Sequence, residues 1–437
     1  MPGPQTLTAT LGLWDAVAMI VGIVVGTGIF RLPSFVAGNV DTPTAFLLLW
    51  VAGGAASFIG ALVYAELVSS FPSAGGDYHF LMRAYGRPVA FLFAWARMTV
   101  MQTGSIALVS LVFGDYATQL LPLGAYSSAV YAVAAIVVLT ALNVIGTWQG
   151  KWAQNLLAIS IVIAMVTAFV AAVAHPGVAP AASSTGTLSI GGAMILVLLT
   201  YGGWNEAAYL SGEVKDVRRN MVRALMLGIG VVTVLYVGIN YAYIRVLGLE
   251  GLRTSEAIGA DLMRATLGEA GAVVLIVLVV SAALSTVNAT IFTGARTNFA
   301  LGRDFSLFRV LGSWKRDGET PANALILQAV IALALVAGAS VTRSGIQTMV
   351  DYTAPVFWLF FLLTGIALFI LRGRTPEAPQ PFRVPLYPIT PILFCAICGY
   401  MLYSSVTFTG IGAVYGGAIV LAGLPILGWA TITQKQA

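Results

Sequence analysis

Apolar stretches separated by short polar or Pro/Gly-rich breaks repeat along the whole chain. Each is long enough, and free enough of charge, for a helix to cross a hydrocarbon core roughly 30 Å thick. The pattern predicts six spans near residues 14–37, 44–70, 88–113, 128–149, 153–174 and 188–212, and six more near 222–247, 271–301, 322–340, 346–371, 387–406 and 411–430. Twelve spans put both termini on one side of the bilayer. Fifteen of the 22 Lys and Arg residues fall in connections on that side and three on the other, while Arg31, Arg97, Arg245 and Arg296 lie within or at the ends of spans. This bias predicts that both termini are cytoplasmic and that the protein sits in the cell's inner (plasma) membrane. The first stretch is too long for a signal-peptide core and has no basic region before it, so it reads as part of the mature protein.

Composition sharpens the picture. The chain has 437 residues, 59% hydrophobic and 9% charged, with a mean hydropathy of +0.91; a soluble domain is usually about 25% charged. The fold class expected is an all-α polytopic membrane protein of about 12 helices, with lipid as its surroundings. The net charge of +5 sits in the loops, where it reports topology, so no nucleic-acid partner is expected. Cys395 and Cys398 lie in a late apolar span with no histidine near, which reads as small core residues, since a zinc site needs about four ligands. No membrane-embedded HExxH and no nucleophile-base set is present, so neither metal, cofactor nor enzymatic activity is expected. A channel would call for a symmetric pore lining that this pattern lacks.

Two spans are interrupted by glycine. The first reads Val21-Gly22-Ile23-Val24-Val25-Gly26-Thr27-Gly28-Ile29-Phe30, and the sixth Leu199-Thr200-Tyr201-Gly202-Gly203-Trp204-Asn205-Glu206. Each glycine costs a helix about 1 kcal/mol relative to alanine, although membrane helices also use glycine for close packing. The alternative to packing is that both helices unwind at mid-membrane, leaving N–H and C=O groups that something polar must satisfy. An α-amino acid zwitterion suits them: its carboxylate on N–H groups at a half-helix N-terminus, its ammonium on carbonyls where the preceding half-helix stops. Broken spans five apart also fit an inverted repeat of five plus five helices.

An ordered set of local matches accompanies the breaks. It comprises Gly26-Thr27-Gly28-Ile29-Phe30, Tyr64-Ala65-Glu66-Leu67, Phe71-Pro72-Ser73-Ala74-Gly75-Gly76-Asp77-Tyr78, Trp95-Ala96-Arg97, Thr103-Gly104-Ser105-Ile106-Ala107, Tyr201-Gly202-Gly203-Trp204-Asn205, Glu213-Val214-Lys215, and Val287-Asn288 to Phe292-Thr293 with Arg296. On these residues the chain resembles the amino acid-polyamine-organocation superfamily, most closely its L-type amino acid transporter branch, over nearly all of the first ten spans. The resemblance implies a leucine-transporter-type fold with 14–174 as the first repeat, 188–371 as the second and 387–430 outside it. It further implies secondary transport of neutral or broad-range L-amino acids by alternating access, as an exchanger, uniporter or symporter; a cationic amino acid or polyamine carrier is the alternative.

By that resemblance Val25, Gly26, Thr27, Gly28 and Ile29 hold the substrate carboxylate, Leu199, Thr200, Tyr201, Gly202 and Gly203 surround the ammonium, and Asn205 makes a side-chain contact. Leu199 stands where the family often has an aromatic gate, leaving occlusion to it or to Tyr201 or Trp204. Aligning on Gln154-Asn155 puts Ile161 where many members have a lysine. Either a cation is then held with Ser285 and Thr286 as hydroxyl ligands, or exchange proceeds without an ion. Glu206 could pair with a cationic substrate, relay a proton, or bond Arg97 or a backbone group. Glu66 and Arg296 are expected to fasten the inner end by pairing across helices or to the basic loops, and Asp15 to cap the first helix or pair locally. The animal L-type members bind a glycoprotein subunit through an outer-loop cysteine; lacking one, this chain is expected to have no disulfide-linked glycoprotein subunit, its partners being the amino acid and membrane lipid.

Overall fold

The computed structural model describes residues 11–73, 75–146, 151–177, 189–210, 214–313, 320–341, 345–374 and 380–436. All twelve apolar stretches are helical. Span 1 is in three pieces, Leu13–Val24, a 3-10 turn at Thr27–Phe30, and Leu32–Gly38. Span 2 is Pro43–Ser70. Span 3 runs through Arg87–Ala96, a π-helical turn at Arg97–Met101, and Gln102–Leu120. Spans 4 and 5 are Ser127–Ile145 and Lys151–Ala174. Span 6 is again broken, into Ile190–Thr200, Trp204–Glu206 and Ala207–Leu210. Spans 9 to 12 are Ala322–Ser340, Gly345–Arg374, Ile389–Thr409 and Ile411–Gln436.

Spans 7 and 8 belong to longer helices, Val217–Thr254 and Ile258–Asp304, which turn corners at Gly248 and Gly268. The connection between spans 7 and 8 is therefore two short helices that bury Leu252, Ile258, Leu262 and Met263. Such pieces are too short to register as spans. A further helix missed from the pattern, Gly76–Tyr85, lies between spans 2 and 3; its residues are too polar on average to announce a membrane element.

Among the described residues nine helices are long and apolar enough to cross a membrane. Spans 1 and 6 fall outside that set because their breaks divide them, and span 5 because it enters only as the shorter apolar helix Ile159–Ala174. With no hydrophobic drive between helices in lipid, close approach comes from small residues. Span 2 illustrates this: side chains at Gly53 and Gly54 would strike Val197 of span 6 and Thr233 of span 7, and one at Gly60 would strike Trp204. Span 3 packs among spans 4, 8, 9 and 10, while span 1 packs on span 7. We call the end holding most of the Lys and Arg the basic face, and the other the opposite face.

Asp15 behaves as expected, accepting the Gly12 N–H at 2.9 Å. Glu66 accepts two bonds from Arg372 of span 10, at 2.5 and 2.6 Å, and one from the Val384 N–H at 2.7 Å, so span 2 is pinned to span 10 near the basic face. Arg296 lies 3.9 Å over the Phe292 ring, one turn back on its own helix. Lys315, Arg316, Arg343 and Glu213 lie outside the described residues.

Candidate functional site

The two breaks face each other. Span 1 stops at Val24, passes through Val25 and an extended Gly26, and restarts as the 3-10 turn. By 3-10 geometry, with bonds spanning three residues, the first N–H groups of that turn, at Thr27 and Gly28, have no partner within it, while that of Ile29 falls to the Gly26 carbonyl. Span 6 stops at Thr200; Tyr201 and Gly202 close its last turn onto Val197 and Leu199, and Gly203 reverses direction at φ +104. A Cβ on Gly28 would lie 3.7 Å from Thr200 Cγ2, and one on Gly203 would lie 3.2 Å from the Ile23 carbonyl oxygen. The start of each break thus abuts the end of the other.

Tyr236 of span 7, which sequence reasoning did not single out, joins them. Its hydroxyl lies 2.7 Å from the Val24 carbonyl oxygen and 3.2 Å from that of Thr200, the last carbonyls of the two half-helices. One phenolic proton serves two acceptors. Tyr236 is fully buried and is braced edge-on by Trp50, 6.1 Å away, and by Tyr201, 5.0 Å away. The available signal was spacing: Tyr236, Asn240 and Tyr243 are polar positions on one face of span 7, at i, i+4 and i+7.

The gate candidates separate. Tyr201 turns away from the break, donating its hydroxyl to the Trp50 carbonyl at 2.9 Å. Trp204 is buried toward the basic face, stacked on Phe361 at 6.0 Å and 11° and edge-on to Tyr64 at 5.0 Å. Leu199 is only half-buried. Asn205 is buried and faces Asp77, on the Gly76–Tyr85 helix, instead of the break.

Glu206 follows directly and meets Arg97 of span 3 in a bidentate pair, both N–H···O distances 3.0 Å. Arg97 is nearly sealed, with 4% of its side chain exposed, against 31% for Glu206. Of the three alternatives for Glu206, the arginine bond is the one made. Asp77 sits in the same pocket and is 3% exposed. Burial pushes its carboxyl up to about 6; the Glu206 charge adds to the rise, while Tyr64, Arg97 and Asn205 oppose it.

At the positions aligned with a sodium site, Ile161 is buried at 2% exposure, and the Thr286 hydroxyl is engaged by the Ala282 carbonyl of its own helix at 3.0 Å. Ser285 is half-buried one residue away. The side chains of Gln154 and Asn155 lie outside the described residues. Among the described residues no cluster of three His, Cys, Asp or Glu could hold a metal.

An amino acid permease family model matches residues 11–430. The chain belongs to the amino acid permease family. It is a multi-pass membrane permease with the leucine-transporter-type arrangement of broken first and sixth helices, and not an enzyme. It is similar to the b(0,+)-type amino acid transporter 1 of Mus musculus, 31% identical over 401 residues, covering 89% of this chain and 81% of the relative. The Rattus norvegicus protein of the same name is 31% identical over 405 residues, covering 90% and 82%. The Homo sapiens large neutral amino acids transporter small subunit 2 is 29% identical over 444 residues, covering 97% and 81%.

The last of these corrects the expectation of no glycoprotein subunit: a relative named as a small subunit is one component of a larger assembly. The expectation rested on a missing outer-loop cysteine. Both cysteines of this permease lie inside span 11, and that position does not decide whether the chain assembles with a further subunit.

Proposed function

We propose that this amino acid permease moves neutral or broad-range L-amino acids by alternating access, with the zwitterion held between the two breaks. The observation that carries the reading is the convergence of the Val24 and Thr200 carbonyls on the Tyr236 hydroxyl. A substrate ammonium suits the same carbonyls, and a carboxylate suits the N–H groups of Thr27 and Gly28 that open the next turn, with Ile29 beside them. Gly26, Gly202 and Gly203 leave room for backbone to meet substrate, and Val25 and Tyr201 supply the flanking peptide groups. Leu199 is the residue left to cover the site, Trp204 serving as a packing anchor below it.

Neutral substrates are favoured over cationic ones because the acids near the breaks are already engaged: Glu206 by Arg97, and Asp77 by its buried polar neighbours. Exchange without an ion is favoured because Ile161 supplies no ligand and the Thr286 hydroxyl is turned to its own helix. The basic face is taken as cytoplasmic, with both termini there and the protein in the plasma membrane. The repeats are taken as 14–174 and 188–371, followed by 387–430.

Counterflow in proteoliposomes tests this. Vesicles loaded with unlabelled neutral amino acids should accumulate labelled amino acid equally with and without sodium or a proton gradient. Accumulation only from vesicles loaded with putrescine or basic amino acids would overturn the substrate class, and strict dependence on sodium would return Ser285 and Thr286 to the role of ligands.

A further inference from the structure

Span 3 carries a charge of opposite sign near each end, and each reaches a different broken helix. Arg97 takes Glu206, in the first turn after the break of span 6. Eighteen residues on, about 27 Å along the helix, Asp115 takes Arg31 with an N–H···O distance of 3.0 Å; Arg31 closes the 3-10 turn that follows the break of span 1. The neighbouring Tyr116 adds a bond from its hydroxyl to the Phe30 carbonyl at 2.8 Å.

Both pairs are largely withdrawn from water, with side-chain exposures of 13% and 19% for Arg31 and Asp115. Both half-helices are short, and each joins the rest of its span through a glycine, Gly26 or Gly203. Each latch also sits beside a residue assigned to the substrate: Arg31 two residues after Ile29, Glu206 directly after Asn205. Span 3 itself is wedged among spans 4, 8, 9 and 10, so it is the fixed member of both pairs. Its π-helical turn begins at Arg97, where the extra residue per turn re-aims the side chain.

We propose that Arg97 and Asp115 are positioning residues for transport: span 3 latches the inner half of span 6 at the basic face and the outer half of span 1 at the opposite face, and the two latches open in alternation. This rests on the reading that the breaks form the substrate site. Opening toward either face requires that the half-helix on that side leave span 3, and therefore that its ion pair break. In this structure both pairs are closed, and both half-helices are held against span 3. Weakening one latch shifts the population toward the conformer open on that side alone, and apparent affinity scales with the fraction of competent conformer.

The test is transport measured from each face of oriented proteoliposomes, with binding of labelled amino acid to detergent-solubilised protein as a separate readout. Glu206→Gln should lower the apparent KM at the basic face several-fold and raise it at the other; Asp115→Asn should do the reverse. The charge swap R97E/E206R should restore the wild-type ratio of the two KM values. Equal changes at both faces, or a swap that restores protein yield without restoring the ratio, would make the pairs static braces and sink the proposal. Wild-type protein that binds no amino acid would instead sink the substrate-site reading. If Glu206→Gln fails to accumulate, Glu206→Asp, which lengthens the pair without removing it, carries the same prediction at smaller amplitude.

Discussion

The two breaks do the same job with different backbone chemistry. In span 1 the chain is interrupted at Gly26 with φ −91 and ψ −174, an extended geometry open to any residue, and a Cβ there would meet nothing closer than 3.9 Å. In span 6 the interruption rests on Gly203 at φ +104, a region that L side chains avoid, and on Gly202, whose Cβ would come within 2.9 Å of the Leu199 carbonyl oxygen. The break of span 6 is therefore encoded in backbone stereochemistry. That of span 1 is held from outside, by Tyr236 on one side and, through Arg31, by Asp115 on the other. One break is intrinsic and the other imposed.

The sharpest way to break that comparison is to put side chains into both. Gly203→Leu should cost about 1–3 kcal/mol of backbone strain before its contact with Ile23 is counted, and should reduce uptake by more than tenfold with lowered protein yield. Uptake within a factor of two of wild type would show that span 6 does not depend on the positive φ.

Asp77 gives the next largest effect, through pH. Its carboxyl is pushed up to about 6 where it is buried, and would titrate near 3.9 if the inner half of span 6 swung away and exposed it to water. Protonation therefore favours closure at the basic face, fully so below about pH 4, and the advantage is lost as pH rises through 6. Acidifying that face from pH 7 to pH 5 should raise the apparent KM there by up to about tenfold, and Asp77→Asn should flatten the profile. An equal slope in the variant would place the titrating group elsewhere.

Tyr236→Phe removes the hydroxyl that reaches both half-helices. A hydrogen bond contributes roughly 0.5–1.5 kcal/mol net, so substrate affinity should change by roughly two- to tenfold, with the protein still folded on its Trp50 and Tyr201 packing. Gly26→Ala should do least, giving normal protein levels and a loss confined to KM, a contrast with Gly203 that uptake kinetics and yield measure together.

Much of the architecture was legible because a membrane span advertises itself: Ala322–Ser340 falls where the hydropathy places it, and both glycine interruptions coincide with breaks in the helices. The side-chain partners were less so. Arg97 and Glu206 are 109 residues apart, Arg31 and Asp115 84, and no local periodicity links such pairs. Glu206 was flagged because a carboxylate in lipid demands a partner, and Arg97 stood among its alternatives. Asp115 falls just beyond the predicted span 88–113 and Asp77 in the connection before it, where a carboxylate near water demands no partner. Tyr236 escaped because an aromatic in a span is usually packing, and only the position of its hydroxyl says otherwise.

Trp204 has a practical consequence. It occupies the same 3-10 turn as Asn205 and Glu206 and lies flat against Phe361 of span 10, with Tyr64 at its edge. An indole stacked on a benzene ring experiences a ring current that disappears when the two part. The protein thus carries a built-in reporter position on the element proposed to move: with 5-fluorotryptophan in place of its nine tryptophans, one fluorine resonance should follow the inner half of span 6 through the transport cycle.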